Sequence, residues 1–283
     1  MFRRIKFTWS IMGASWEVLK KDKELLIFPI LSFIAMIIVS ASFIVPILLT
    51  SLPELEGLVE HPEGYSNLDN VLYYVVLFAF YFCNYFVIIF FNSAIVGSAV
   101  TRMRGGEPTF GDALKIAFSR LPQILGWALM SATVGMILRM IEERSQMVGR
   151  IVAGLLGVAW TLTTYLALPV LVVEQKGPVE TLKRSASLLK TTWGDQIVGN
   201  FSFGIIFFLL MLPAFLLIPL AVMAGGTTTF VIIGVMVLYI ALLALIQATL
   251  QTIFQAAIYL YATDGKAPAL FPQDVLAGAI AQK

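Results

Sequence analysis

The sequence predicts an all-α polytopic membrane protein with six transmembrane helices, and three observations lead to that prediction. Hydrophobic residues make up 59% of the 283-residue chain and charged residues only 13%, whereas a soluble domain is about half apolar and a quarter charged. Six stretches are long enough to cross a hydrocarbon core of ~30 Å as a helix. None of the 36 charged side chains lies in those stretches, and a charge at the bilayer centre costs at least ~2.5 kcal/mol.

The composition also excludes other classes of protein. The formal net charge is only +2, so the strongly basic face of a nucleic-acid-binding protein is not expected. A disulfide scaffold needs many cysteines, and Cys83 is the only one in the sequence. A disordered chain would be poor in apolar residues and high in net charge, which is the opposite of this composition.

We expect residues 1–283 to form a single integral membrane domain. The predicted spans cover residues 25–50, 71–100, 121–138, 151–173, 197–223 and 230–262. The sixth stretch is longer than a straight crossing requires, so we expect it to tilt or to project past the bilayer. Residues 1–24 carry six basic side chains and no apolar core of their own, so we expect no cleavable signal peptide.

The distribution of charge predicts the orientation of the spans. Lysine and arginine accumulate in loops that stay in the cytoplasm. With both termini placed inside, 16 basic residues are cytoplasmic and three are external. The three external residues, Arg139, Arg144 and Arg150, depart from the rule and lie beside Glu142 and Glu143. We therefore expect a multi-pass protein of the cell (inner) membrane with both termini in the cytoplasm.

Three cytoplasmic segments have the spacing of amphipathic helices. Their predicted apolar stripes are Phe2, Ile5, Trp9, Met12, Trp16 and Leu19; Phe110, Ala113, Leu114, Ala117, Phe118 and Leu121; and Val179, Leu182, Ala186, Leu189 and Trp193. Thr109 and Asp112 resemble a capping box, and Glu180 can pair with Arg184 one turn later. Each helix either lies in the membrane interface or packs on the underside of the bundle.

Each amphipathic segment precedes a pair of spans, which suggests an internal repeat. The junctions that begin at Lys23, Pro122 and Asp195 each contain Glu or Gln followed by two aliphatic residues. The sequence therefore predicts three parallel units, each consisting of an amphipathic helix followed by a transmembrane hairpin.

The second and third segments resemble an uncharacterised six-span integral membrane protein family of bacteria and archaea. The resemblance is carried by the sequences Gly105-Gly106-Glu107-Pro108-Thr109-Phe110-Gly111-Asp112-Ala113-Leu114 and Glu174-Gln175-Lys176-Gly177-Pro178-Val179-Glu180-Thr181-Leu182-Lys183-Arg184-Ser185. The layout is similar in plan to the membrane domain of glycerophosphodiester phosphodiesterases and to YciC-like proteins. The resemblance implies a polytopic inner-membrane protein and supplies no catalytic residues.

The sequence contains no recognisable catalytic, metal or cofactor motif. We therefore predict a protein that is not an enzyme, with no catalytic, cofactor-binding or metal-binding residues and no cofactor. His61 lies in an acidic loop and could join Glu60 and Glu63 in weak cation binding, although such loops are usually only solvated. Cys83 lies in the second span, where a thiol most often acts as a small packing residue.

Uncharged polar residues within the spans suggest a possible intramembrane site. Gln247, Gln251 and Gln255 stand four residues apart and therefore on one face of the sixth helix. The other amides are those of Asn84, Asn92 and Asn200. The six amides either join helices by hydrogen bonds worth ~0.6 kcal/mol each or line a hydrated cavity or lipid-headgroup groove. Pro29, Pro46, Pro213 and Pro219 mark the first and fifth spans as candidates for kinked or broken helices.

Two hypotheses of function follow. In the first, the chain is a non-enzymatic anchoring, scaffolding or accessory module at the cytoplasmic face, in contact with anionic membrane lipids and open to a protein partner or a second copy of itself. The expected lipid contacts are Arg3, Arg4, Lys20, Lys21, Lys183 and Arg184. In the alternative, the chain is a transporter, channel or lipid-translocating protein that uses an uncharged polar cavity. The absence of charge within the spans disfavours proton coupling.

Overall fold

The computed structural model describes residues 2–58, 67–144, 147–266, 268, 270 and 271. Within those ranges, side chains are described except at residues 2–11, 47, 49–58, 67–70, 143–144, 189–203 and 205. The described part of the chain is helical and contains no strand. His61 and its acidic loop lie outside the described residues.

Nine α-helices follow one another in the described ranges. They are α1 (Phe2–Lys21), α2 (Ile27–Leu58), α3 (Asn67–Met103), α4 (Phe110–Ser119), α5 (Leu121–Arg144), α6 (Val148–Thr163), α7 (Ala167–Glu174), α8 (Pro178–Ala224) and α9 (Gly226–Asp264). A short 3-10 turn, Lys23–Leu26, joins α1 to α2. Six segments are long and apolar enough to cross a membrane, and α6 and α7 share one of them. The prediction of six transmembrane helices is confirmed.

The packed core lies at one end of the bundle, which we call the α1 end because it carries α1, α4 and the start of α8. Its buried residues come from the second half of α3, from α7 and from the second half of α9. Other helices add residues to this core, among them α1 with Val18 and Leu19. Towards the opposite end the apolar side chains are mostly exposed, as Met223 and Phe230 are. Exposed apolar side chains suit a lipid environment, since acyl chains are as apolar as they are.

The fourth span is a broken helix, at a position where the sequence did not predict one. α6 ends at Thr163 and α7 begins at Ala167. Pro169 lies in the first turn of α7; it has no N–H, and its ring would clash with the Tyr165 carbonyl in a continuous helix. The prolines predicted to interrupt the first and fifth spans lie instead within unbroken helices, because α2 and α8 run past them.

The buried faces of the amphipathic segments differ in part from the predicted stripes. In α4, Ala113 and Ala117 are buried as predicted. In α1, Trp16 is 41% exposed while the small Ser15 is fully buried. In the third segment Val179 is 58% exposed, and the buried face consists of Thr181, Ser185 and Leu188. Small polar residues allow helices to approach closely, whereas apolar ones can face lipid equally well.

The third amphipathic segment is not a separate helix. It is continuous with the fifth span as α8, which has 47 residues. By contrast, α1 and α4 are separate helices that end before the spans that follow them. A separate helix therefore precedes the hairpin in the first two units, whereas in the third unit that helix is continuous with the span.

A recurrent backbone feature supports the predicted repeat. α3, α7 and α9 are each followed within two residues by a left-handed residue, and a proline stands three positions after it. The pairs are Gly105 (φ 89°) and Pro108, Gln175 (φ 56°) and Pro178, and Gly265 (φ 67°) and Pro268. After α3, Gly106 N–H donates to the Thr101 carbonyl and Gly105 N–H to the Arg102 carbonyl, which is a Schellman cap. The second helix of each hairpin thus ends in the same way.

Candidate functional site

A buried ion pair joins the first two units at the α1 end. Asp22 follows α1 directly, and its side chain is only 7% exposed. Arg102, in the last turn of α3, donates from Nε to Asp22 Oδ2 at 2.6 Å. A second guanidinium N–H donates to Asp22 Oδ1. A bidentate arginine–carboxylate pair is short, directional and stronger than a neutral hydrogen bond, so it fixes the end of α1 against the end of α3.

The start of α4 is held by both its own sequence and the first unit. Thr109 and Asp112 form the predicted capping box, in which Thr109 accepts from the Asp112 N–H at 3.2 Å and donates its own N–H to Asp112 Oδ2 at 3.1 Å. The Thr109 hydroxyl also donates to Asp112 Oδ2 at 2.7 Å. This hydrogen bond, and then the one from the Thr109 N–H, holds the pKa of the Asp112 carboxyl below its usual range. Glu24 accepts from the Phe110 N–H at 2.7 Å, and Phe28 stacks on the Phe110 ring at 4.9 Å. The first two units therefore meet at the N-terminus of α4.

Glu174 is the centre of a second polar cluster, where α7, α8 and α9 meet. Its Oε1 accepts from Arg184 Nε at 2.9 Å and from the Tyr259 hydroxyl at 3.2 Å. Lys176 forms an ion pair with its other oxygen. Arg184 was predicted to pair with Glu180 and to contact lipid. The structure pairs it with Glu174, whose side chain is 17% exposed, whereas Glu180 is exposed.

Two further contacts connect the helix ends. Arg120, at the end of α4, donates from Nε to the Val172 carbonyl of α7 at 3.0 Å. Arg104 lies just after α3, and Asp264 is the last residue of α9. A guanidinium nitrogen of Arg104 lies 3.9 Å from a carboxylate oxygen of Asp264. Together with the two clusters above, these contacts bring residues from all three units into one polar layer at the α1 end.

The glutamine stripe lies partly within the bundle. Gln247, Gln251 and Gln255 are all half-buried. Gln255 is the polar neighbour of the Tyr165 hydroxyl, which is buried and makes no hydrogen bond of good geometry among the described residues. Tyr165 lies in the break between α6 and α7. The broken span and the glutamine stripe therefore meet at one point.

The other predicted amides are separate from that point. Asn84 and Asn92 are half-buried on α3, and the Asn84 side-chain N–H donates to the Phe80 carbonyl of its own helix at 2.8 Å. Asn200 has its side chain outside the described residues. Most threonine and serine hydroxyls in the spans also bond to their own helices, as those of Ser93 and Thr249 do. Outside the spans, Ser185 in the third amphipathic segment donates to the Thr163 carbonyl at 2.6 Å. That carbonyl is at the end of α6, where the helix break leaves it without a helical donor.

The predicted lipid contacts are distributed around the α1 end. Lys20 forms an exposed pair with Glu17 at 2.6 Å. Lys21 and Lys183 are exposed, and the structure gives neither an ion-pair partner within the described ranges. Arg3 and Arg4 have side chains outside those ranges.

The sequence singled out the amides but missed the charged residues that join the units. Asp22, Arg102 and Glu174 flank the apolar stretches. Charged residues are common at such positions, so the sequence alone did not mark these three as partners in contacts between units. A signal was present in the spacing after each hairpin, since the left-handed residue and its proline recur at the same interval. Tyr165 could have been noticed through Pro169, four residues later.

No group of three His, Cys, Asp or Glu side chains in the described ranges is placed to hold a metal ion, and Cys83 is a half-buried free thiol. Residues 71–269 match a family described as a family of unknown function (DUF6159). No curated protein matches the chain.

Proposed function

Since the chain belongs to this family of unknown function, we propose that it is a non-enzymatic integral membrane module that anchors or organises partners at the cytoplasmic face of the cell membrane. The observation that carries the proposal is the polar layer at the α1 end, above all the bidentate bond between Asp22 and Arg102. That layer fixes the amphipathic helices relative to the spans. A fixed set of surface helices is what a docking platform requires.

The charges of this end support a membrane surface rich in anionic lipid as one partner. Lys21 and Lys183 project from different units without an ion-pair partner in the described ranges. Each basic residue close to an anionic leaflet contributes about 1 kcal/mol of attraction. Arg184 contributes less under this proposal, because Glu174 already neutralises it. A protein partner or a second copy of the chain would use the same face.

Native mass spectrometry of the purified protein with phosphatidylglycerol or phosphatidylcholine tests this proposal. We expect preferential retention of phosphatidylglycerol and an affinity about fivefold lower in Lys183→Gln, which corresponds to the loss of ~1 kcal/mol. Lys176→Gln is the matched control, because it removes the same charge from an ammonium that Glu174 already holds. Equal affinities for the two lipids, or equal effects of the two substitutions, would contradict the proposal.

A second candidate function is supported by the meeting of the broken fourth span with the glutamine stripe. Broken helices place polar backbone groups within a membrane, as transporters require at their binding sites. The buried Tyr165 hydroxyl beside Gln255 is an additional polar group at the same depth. These features support a transporter, channel or lipid-translocating protein with an uncharged intramembrane site.

A flux assay in reconstituted vesicles separates the two functions. Translocation of fluorescent lipid or of a polar solute, lost in Gln255→Leu and in Gln251→Leu, would favour the second function. Thr161→Val is the matched control, because its hydroxyl bonds only to the Gly157 carbonyl of its own helix at 2.9 Å. Absence of flux for every lipid and solute tested would favour the first function.

We also propose that the layout is similar in plan to the membrane domain of glycerophosphodiester phosphodiesterases and to YciC-like proteins, which would be compatible with the anchoring proposal. The proposed absence of enzymatic activity would be contradicted by turnover of any lipid in the same vesicles.

A further inference from the structure

A polar cleft lies at the end of the bundle opposite to the α1 end. Its volume is about 310 Å³, and it is an open cleft lined by residues of α3, α5 and α6. The polar groups that line it are Tyr81, Arg139, Glu142 and Arg150, and Gly135 and Gly154 form part of its walls. Small-molecule sites occupy ~300–1,000 Å³, so this cleft has room for a headgroup rather than for a whole lipid.

The two arginines are unusual for their position. Arg139 immediately follows the third apolar stretch and Arg150 immediately precedes the fourth, so both lie at the boundary between the hydrocarbon core and the headgroups. Basic residues are depleted on this side of a membrane protein when the termini lie on the other. Their convergence on one cleft gives a physical reason for retaining them there, since two guanidinium groups can bind the oxygens of one phosphate.

We propose that this cleft binds the headgroup of a membrane phospholipid, with Arg139 and Arg150 on the phosphodiester and Glu142 on the ammonium of an ethanolamine. The Tyr81 hydroxyl makes no hydrogen bond among the described residues and can donate to the same phosphate. A bound headgroup would place its negative charge beside the arginines and its positive charge beside the carboxylate of the cleft.

A lipid, rather than a soluble phosphate compound, is the expected source of the headgroup. Ile137 of α5 and Ile151 and Leu155 of α6 lie on the helices that line the cleft, and each is at least half exposed. Acyl chains attached to a bound headgroup would cover these side chains and remove them from water. The site lies far from the α1 end, so its failure in a test would leave the proposed anchoring function unaffected.

Native mass spectrometry of the full-length protein, delipidated in detergent, tests the site with defined probes. The probes are dioleoyl phosphatidylethanolamine, dioleoylglycerol, soluble glycerophosphoethanolamine and inorganic phosphate. We expect saturable binding of the phospholipid, and at least tenfold weaker binding of each of the other three. Equal binding of dioleoylglycerol would show that only the acyl chains are recognised, and equal binding of a soluble probe would show that the ligand is not a lipid; either result overturns the proposal.

Substitutions locate the site. Arg150→Gln should weaken binding of phosphatidylethanolamine about tenfold, because one charge-assisted pair is lost. Glu142→Gln should reduce the preference for phosphatidylethanolamine over phosphatidic acid while leaving binding of the phosphate. Unchanged binding in Arg150→Gln would overturn the proposal.

A steric variant keeps the proposal testable even if an arginine variant fails to fold. A Cβ placed at Gly154 meets no atom within 4 Å, so Gly154→Leu should fill the cleft without disturbing the protein. Gly234→Leu is the matched control, since Gly234 also has no neighbour within 4 Å and lies on α9, away from the cleft. We expect loss of lipid binding in the first variant alone, and equal binding in both would overturn the proposal.

Discussion

The pair between Asp22 and Arg102 makes a sharp prediction for the stability of the α1 end. Asp22→Asn removes the charge but keeps the size of the side chain, and it leaves the Arg102 guanidinium, which is 16% exposed, with only the exposed Glu107 carboxylate, 3.9 Å away, as a counter-ion. Removing one partner of a buried pair costs ~3–5 kcal/mol, because the other charge stays buried. We expect a decrease of about 3 kcal/mol in the free energy of unfolding, near the lower bound, since Arg102 is not fully buried.

The assay is reversible unfolding in mixed micelles with increasing SDS, followed by tryptophan fluorescence. Glu17→Gln is the control, because the pair between Lys20 and Glu17 has the same 2.6 Å separation but about half of each side chain is exposed. An exposed pair is worth only ~0–1 kcal/mol. If Asp22→Asn destabilises the protein no more than Glu17→Gln does, the argument from burial is refuted.

The double variant Asp22→Leu with Arg102→Met provides a second check on the same reasoning. Replacing both charges by apolar groups is often neutral for stability, because no unpaired charge remains. We therefore expect the double variant to be destabilised by less than the sum of the losses in Asp22→Leu alone and Arg102→Met alone, which would appear as a coupling energy in a double-mutant cycle. Additive effects of the two substitutions would show that the side chains do not act as a pair.

Three further predictions concern other parts of the α1 end. Gly97→Val should cost ~1–3 kcal/mol in the same unfolding assay, because a Cβ at Gly97 would lie 2.6 Å from Ile116 Cγ2; an unchanged midpoint would contradict this packing. The pKa of Asp112 is lower in the folded state, so its stabilising contribution is complete above the unfolded pKa and is lost as pH falls through the folded pKa. Stability measured between about pH 6 and pH 3 should therefore decline more steeply in the native chain than in Asp112→Asn, and parallel curves would argue against the capping box. Tyr165→Phe should keep or raise thermal stability, because it removes a buried hydroxyl that makes no hydrogen bond of good geometry in the described ranges; a large loss of stability would indicate a bonded hydroxyl.

The spans could be predicted from the sequence because a bilayer imposes one strong condition. A crossing helix must be about 20 residues long and free of charge, and both properties can be read from the sequence. The capping box of Thr109 and Asp112 was predictable for a similar reason, since all its interactions lie within four residues. Local rules therefore sufficed for the helices and for this cap.

It was harder to predict which side of each amphipathic helix packs against the rest of the protein. In a soluble protein an apolar stripe faces the core, but here lipid, interface and core all accept apolar side chains. Trp16 and Val179 are therefore exposed, whereas Thr181 and Ser185 are buried. The small polar residues, and not the large apolar ones, indicate which face packs against protein.

The long-range polar contacts could not be predicted from spacing alone. Asp22 and Arg102 are separated by 80 positions in the sequence, and any of several acidic residues near the spans could have been the partner. The break at Tyr165 was missed because Pro169 lies within a stretch as apolar as its neighbours. The presence of a proline alone does not decide whether a helix breaks, since α8 continues through Pro213 and Pro219.

The length of α8 has a geometric consequence. At ~1.5 Å per residue, its 47 residues extend about 70 Å, well beyond the ~40–45 Å of a whole bilayer. This unbroken helix begins at the α1 end with Pro178 and ends before the turn of Gly225 and Gly226 at the opposite end of the bundle. Because this length exceeds the thickness of the bilayer, α8 must either tilt within the membrane or project beyond it.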